Sequence, residues 1–332
     1  MSAHRGYAFS SVRNVKALRK YGLIDHDKKK ASPAVLFDQL SHIYKTDPRI
    51  METLDCMIHA EEHYWMNYGQ QVYFFEDADF CRNVMRGSYA IKETLPLYHG
   101  NESFILMLPD DFTFCGQKGS GLLVTVFNHA QRTNELFTSF FESMKLPVPN
   151  VTTSGEQGEY TVCISYQEKA GSYMYMRVAM PNVWLADICQ METLEQYSQL
   201  MKDRNSFHFF HGMGLDVPEM EYQFEVLRFV MGFMVYRHAM PQRIRDGLPS
   251  GISKHEFTTP HFQKPHTRIV SHPAKEKGEV QGHYRSWHFR QLTDDKYYKG
   301  EHEGKAKGSR IVFVSDSFVT KNEVHVSTVE AK

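Results

Sequence analysis

An aromatic and basic segment near the carboxyl end of the chain carries the residue types that recognise unpaired RNA. Residues 283–292 read His-Tyr-Arg-Ser-Trp-His-Phe-Arg-Gln-Leu, and a hydrophobic stretch from Arg310 follows a charged insert. Guanidinium groups pair bidentately with phosphate, and aromatic rings stack on unpaired bases. The pattern therefore indicates an RNA contact. The residues that would make it are His283, Arg285, His288, Arg290 and Arg310.

Strand geometry offers a second interpretation of the same segment. Alternate side chains of an extended chain point to opposite faces. The even-numbered residues from 284 to 290 would share one face, and Arg285, Trp287 and Phe289 the other. Trp287 and Phe289 would then be structural support in the core, and the whole segment could serve the fold. Both interpretations stay open on the sequence alone.

A motif in the first third of the chain resembles a metal site. His59-Ala60-Glu61-Glu62-His63 matches the His-x-x-Glu-His pattern, in which two histidines on one helix face bind zinc beside a glutamate base. The third, acidic ligand cannot be identified. A Met- and aromatic-rich helix would more simply present Glu61, Glu62 and His63 to solvent. A zinc metalloprotease is thus an outside alternative.

Other catalytic patterns are missing from the sequence. It contains no Gly-x-Ser-x-Gly elbow, and the glycines of residues 116–121 lack the spacing of a phosphate-binding loop, so they indicate a hairpin turn. We therefore expect no enzyme, no catalytic residue, no metal and no cofactor.

The composition of the 332-residue chain is that of a globular protein, with 42% hydrophobic and 13% aromatic residues. No apolar run approaches the roughly 18 residues that cross a bilayer, and the first residues lack a secretory signal, so we expect a cytosolic protein without membrane contact. The five cysteines are widely spaced and odd in number. They indicate reduced, mostly buried side chains rather than disulfides or a zinc ribbon.

Charge is segregated along the chain although its net value is only −1. Residues 1–30 carry +6, residues 31–242 carry −12 and residues 243–310 carry +6. Basic segments bind polyanions because they release counterions from the phosphate backbone. The alternative is that the basic ends dock on the acidic middle of the same chain. The N-terminal residues predicted to contact RNA are Arg5, Arg13, Lys16, Arg19, Lys20, Lys28, Lys29 and Lys30.

Hydrophobic periodicity predicts which elements position these residues. Helices are expected over residues 10–21, 33–44, 48–65, 194–202 and 219–240, the last apolar nearly all round and therefore buried. Strands are expected over residues 72–75, 103–108, 122–128, 160–166 and 173–180. An irregular basic arm should follow over residues 243–282, and a closing hairpin should pair residues 310–319 with 324–329.

These elements predict an α+β fold with N-terminal helices, a central mixed or antiparallel sheet, and a buried helix near 219–240. We divide the chain into a basic N-terminal helix and extension (1–30), an α+β core (31–242) and a basic arm with a C-terminal hairpin (243–332).

The C-terminal segment also carries a family resemblance. Its order His-x-Arg-x-x-His-aromatic, followed by a Gly/Lys-rich gap and a short strand containing Arg310, resembles the second type V-A anti-CRISPR family and its relatives in phages and mobile elements. Residues 73–79 and 104–111, with their Leu-Pro-acidic strand end, are similar to an upstream part of that family.

The resemblance implies a phage-encoded, non-enzymatic host-takeover protein in the host bacterial cytoplasm. Together with the two basic ends, it leads us to expect association with the host translation machinery, through ribosomal RNA or a translating ribosome and its nascent chain. The alternative is an anti-CRISPR-like inhibitor that binds a CRISPR nuclease. No readout of DNA sequence is expected.

Overall fold

The structure is a computed structural model that describes residues 4–20, 40–41, 44–45, 54–68, 70–86, 88–90, 102–127, 132–147, 159–169, 172–181, 193, 195–196, 199, 217–252, 265–272, 283–285, 288–314 and 317–319. Its helices are α1 (Ser10–Lys20), α2 (Leu54–Tyr68), α3 (Ala78–Arg86), α4 (Arg132–Ser143) and α5 (Val217–Ala239). Its strands are β1 (His4–Arg5), β2 (Gln71–Phe75), β3 (Ser88–Ala90), β4 (Glu102–Pro109), β5 (Leu122–Phe127), β6 (Glu159–Lys169), β7 (Ser172–Pro181), β8 (Ile244–Asp246), β9 (His266–Val270), β10 (His283–Arg285), β11 (His288–Leu292), β12 (Arg310–Val314) and β13 (Ser317–Val319).

A mixed sheet forms the centre of the fold. Its strand order is β7-β6-β5-β4-β2-β9-β8, and the short β1 pairs with the end of β4. The interior strand β2 runs parallel to both β4 and β9, whereas the other strand pairs of this order are antiparallel. The predicted α+β class with a mixed sheet is confirmed.

Both faces of this sheet are buried, as the alternation of β2 illustrates. Tyr73 and Phe75 face the layer of α3 and α5, whereas Val72 and Phe74 face the layer of α1, α2 and α4. Large aromatic side chains fill the first layer, with the Phe75 and Phe229 ring centroids 5.0 Å apart. Since both faces are covered, β2 reads in the sequence as a continuous apolar run rather than an alternating one.

The predicted central helix is confirmed. Helix α5 spans 23 residues, and buried side chains occur on all of its sides, as expected for a helix that is hydrophobic all round. Near its C-terminal end Arg237 forms a bidentate ion pair with Glu102, and both side chains are almost buried. This pair connects α5 to the start of β4.

The C-terminal third differs from the predicted arm in detail. Two short strands, β8 and β9, lie within it and extend the main sheet, with β9 paired directly with β2. Strand β12 pairs with β11, and residues 324–329, its predicted partner in the closing hairpin, lie outside the described residues. Most of the predicted helices 33–44 and 194–202 also lies outside them.

Candidate nucleic-acid interface

Part of the aromatic and basic segment forms a strand of a small second sheet. Strand β11 lies between β12, to which it is antiparallel, and β3, to which it is parallel. Phe289 is fully buried and contacts Tyr236 of α5 and Phe313 of β12, with ring centroids 6.0 and 5.6 Å away. Its neighbour Arg290 is exposed. The predicted alternation between a core residue and a surface arginine is therefore confirmed at these two positions.

Three predicted RNA contacts share the outer face of this sheet. His288 and Arg290 alternate with the buried Phe289, and the pairing of Leu292 with Arg310 puts Arg310 on the same side. Arg290 lies opposite Val312, so it is a diagonal neighbour of Arg310 across the two strands, where Cβ atoms are about 7–8 Å apart. Of these residues Arg290 is exposed and His288 and Arg310 are half-buried, while Leu292 and Val312 on the same face are buried. We call His288, Arg290 and Arg310 the outer strand face.

The loop between β11 and β12 supports this face. Tyr298 donates to the carbonyl of Leu292 at 2.6 Å, and Gln291 donates to that of Gly308 at 2.7 Å. Arg310 donates to the backbone carbonyl of Tyr297 at 2.5 Å, which ties its guanidinium to the loop. The loop thus has a defined shape, and Arg310 has a structural role in addition to its surface position.

Charges in this loop largely balance each other. Lys296 lies 3.2 Å from Asp294, and Lys307 lies 2.5 Å from Asp295. Hydrogen bonds from the backbone and side chain of Lys296 lower the pKa of Asp294. The lysines of the loop therefore add little net positive charge, which leaves the outer strand face as the main cationic feature of the small sheet.

A second cationic surface is formed by α1. Arg13, Lys16 and Lys20 are exposed, and their spacing of three and four residues puts them on one side of the helix. The helix contains no acidic residue. We call these three residues the α1 stripe.

The remaining predicted contacts fall elsewhere. Arg5 has only 16% of its side chain exposed, donates to the backbone carbonyls of Gly119 and Phe112, and lies 3.8 Å from Asp110. Burial lowers its pKa. Arg5 therefore joins β1 to the loop after β4 instead of reaching outward. Lys28, Lys29, Lys30 and Trp287 lie outside the described residues, as do the side chains of Arg19, His283 and Arg285.

The His-x-x-Glu-His motif forms a buried polar cluster between α1 and α2. The expectation that Glu61, Glu62 and His63 face solvent is wrong, because all three are buried. Glu62 is fully buried and accepts three hydrogen bonds, from the Tyr7 hydroxyl at 2.9 Å, the Ser10 N–H at 2.6 Å and the Ser11 N–H at 2.9 Å. These two N–H groups belong to the first turn of α1, where the backbone N–H groups of a helix have no carbonyl partner within the helix.

His59 completes this cluster. Its Nδ1 lies 2.7 Å from the Tyr44 hydroxyl, and its Nε2 lies 3.1 Å from Asn14 Nδ2 and 3.4 Å from Ser10 Oγ. Both ring nitrogens therefore have protein partners, and both Glu62 oxygens already accept hydrogen bonds. Among the described residues no group of three His, Cys, Asp or Glu side chains is placed to hold a metal ion. The motif anchors α1 and does not have the geometry of a zinc site.

Burial dominates the electrostatics of the cluster. It raises the pKa of Glu62 to about 7 although the three donors act in the opposite direction. It lowers the pKa of His63 to about 4, and burial with the nearby Arg13 charge lowers that of His59 to about 3. Sequence reasoning missed Tyr7, Ser10 and Tyr44 as partners, because no local pattern links residues so far apart.

Comparison with protein-family models, with curated proteins and with solved structures finds no match to the chain. The anti-CRISPR resemblance therefore stays a prediction. In the part of the chain that the structure describes, no helix has the length and apolar character to cross a bilayer.

Proposed function

We propose that the chain is a phage-encoded, non-enzymatic host-takeover protein that binds ribosomal RNA in the host ribosome or in a translating complex. The observation that supports an RNA contact is the outer strand face, where His288, Arg290 and Arg310 come together from two strands. Phosphate contacts by such cations supply sequence-independent affinity. The α1 stripe adds further cations.

The phage origin and the ribosomal target rest on the family resemblance and on the segregation of charge. The host bacterial cytoplasm is the location that this proposal implies.

A second candidate is an anti-CRISPR-like protein that inhibits a CRISPR nuclease by binding it. One observation favours this alternative. Strand β11 is the middle strand of its sheet and inserts Phe289 into the core, so the conspicuous segment already has a complete structural role. In that case the surface arginine would be incidental and the partner would be a protein.

Ribosome cosedimentation tests the first candidate. Arg290→Ala should weaken cosedimentation and leave thermal stability almost unchanged, because exposed substitutions usually alter stability by within about 0.5 kcal/mol. Lys118→Ala is a matched control, since this exposed lysine forms an ion pair with Asp110 at 3.5 Å and belongs to neither cationic surface. Reversal of Arg13, Lys16 and Lys20 to Glu should also release the protein.

Salt provides a second measurement on the same variants. Each lost phosphate contact should reduce the slope of log affinity against log salt by about 0.7 for single-stranded RNA. Unchanged cosedimentation and an unchanged slope in both variants would refute the RNA proposal. Copurification of tagged protein from infected cells separates the two candidates, since ribosomal subunits support the first and a single nuclease supports the second.

A further inference from the structure

The two cationic surfaces lie on opposite sides of the main sheet. Helix α1 belongs to the layer that covers Val72 and Phe74, and Val12 packs against that layer. The small sheet belongs to the other layer, because Phe289, Ile311 and Phe313 pack with α5. The main sheet and α5 thus separate the α1 stripe from the outer strand face. Packed layers are about 10 Å apart, so the separation is on the order of 20 Å or more.

Neither surface is free to turn towards the other. Helix α1 is oriented by Glu62, which accepts two N–H groups of its first turn, and by His59, which contacts Asn14 one turn further along. The small sheet is held by the fully buried Phe289. Each anchor is part of a hydrophobic or polar core, so both surfaces keep fixed directions in the folded protein.

The two surfaces also have the same chemical preference. The α1 stripe presents three exposed cations on one side of the helix. The outer strand face presents Arg290, with Arg310 and His288 beside it on the same side. Charge complementarity therefore selects a polyanion for both, and two polyanion surfaces in opposite layers of the fold are too far apart for one short strand.

We propose that the protein is bivalent and bridges two RNA segments, one on the α1 stripe and one on the outer strand face. This inference rests on the proposed RNA binding and adds that the contacts are separate. A bridging protein would connect two RNA elements that are adjacent in a folded particle. Two contacts that can be engaged together also raise the overall affinity far above that of either contact alone.

Binding stoichiometry tests bivalency directly. The probe is a fluorescent single-stranded RNA of about five nucleotides, near the lower end of known site sizes, which is too short to reach both surfaces around the body. Native mass spectrometry at low salt should show two RNA molecules on the wild-type protein. Arg290→Ala and the Lys16→Glu, Lys20→Glu double variant should each bind one, and their combination none. Lys118→Ala should still bind two, and thermal unfolding checks that each variant is folded.

Energy transfer provides an independent readout of bridging. With donor-labelled and acceptor-labelled pentamers in a mixture, wild-type protein should produce transfer that either variant abolishes. One RNA per wild-type chain, lost in either variant, would overturn bivalency while leaving RNA binding intact. No RNA on the wild-type chain would overturn the proposed function itself. Two RNA molecules retained by both variants would show that other residues make the contacts and would also overturn the proposal.

Discussion

Replacement of Glu62 by Gln should change how the stability of the protein depends on pH. The Glu62 carboxyl group is fully buried, and its described hydrogen bonds come from Tyr7, which precedes α1, and from Ser10 and Ser11 in the first turn of α1. The amide of the Glu62→Gln variant has nearly the same shape but cannot titrate. The pH dependence of the difference in unfolding free energy between the variant and the wild type therefore reports the protonation of Glu62.

Two effects compete for that proton. Removal of the carboxylate from water favours the neutral acid, whereas the three donors and the positive end of the α1 dipole favour the ionised form. Burial is the larger effect and raises the pKa of Glu62 from 4.5 to about 7. Between these pH values the folded protein keeps a proton that the unfolded chain has lost. Stability due to Glu62 must then fall as the pH rises through this window, by about 3 kcal/mol in total.

Urea unfolding of both proteins at several pH values between 4.5 and 8 measures this effect. The variant should gain about 3 kcal/mol relative to the wild type across the series, because its amide escapes the cost of ionisation. At the acidic end it should be the less stable protein, since its NH₂ group meets one of the N–H donors and leaves that donor unsatisfied at a cost of about 1–3 kcal/mol. A constant difference, or one that grows in the opposite direction, would show that the donors outweigh burial and would refute this reasoning.

Three further changes have defined outcomes. His63→Phe should reduce the loss of stability on acidification from pH 6.5 to about 4. Burial lowers the pKa of His63 to about 4, so in this range the unfolded wild-type chain binds a proton that the folded protein does not, which favours unfolding; thermal unfolding at pH 4.5 and 7 measures the change. Phe289→Ala should lower the free energy of unfolding, measured in urea, by about 3–5 kcal/mol because it leaves a cavity in the core. A loss below about 1 kcal/mol would contradict the core position of β11. Arg237→Ala should cost about 3–5 kcal/mol because it leaves Glu102 buried and unpaired, whereas Arg237→Met combined with Glu102→Met should cost much less; equal losses would show that the ion pair is not desolvated.

Local sequence patterns were enough for much of the fold. Helix α5 was predictable because its apolar residues leave no polar side, and β2, β4, β5 and β6 because their apolar runs end at turn residues. The strands β8 and β9 were not predicted. They are only three and five residues long, and β9 is a strand because it pairs with β2, almost 200 residues earlier in the chain. Such pairing depends on tertiary contacts and has no local signature.

The candidate interface was predictable only in part. Alternation along an extended segment was sufficient to separate Phe289 from Arg290. Residue type was not sufficient for Arg5, since a guanidinium group satisfies backbone carbonyls as readily as phosphates. Charge counting also could not show that α1 and the small sheet lie on opposite sides of the main sheet. That arrangement follows from which face each element covers, and net charge contains no such information.

The His-x-x-Glu-His spacing, which suggested a zinc site, also suits a cluster that anchors one helix on another. Residues three and four apart share one side of a helix, so His59, Glu62 and His63 lie on the same side of α2, where His63 contacts Phe140 of α4. In a metalloprotease that neighbour is a metal in a cleft, whereas here Glu62 and His59 meet the start of another helix, whose N–H donors also require an acceptor. A buried carboxylate can either assist a metal or accept hydrogen bonds from the N–H groups at a helix start. The position of Ser10 and Ser11 against Glu62 distinguishes the helix anchor from the zinc site. Once α1 is anchored in this way, its exposed cations must point outward from the body.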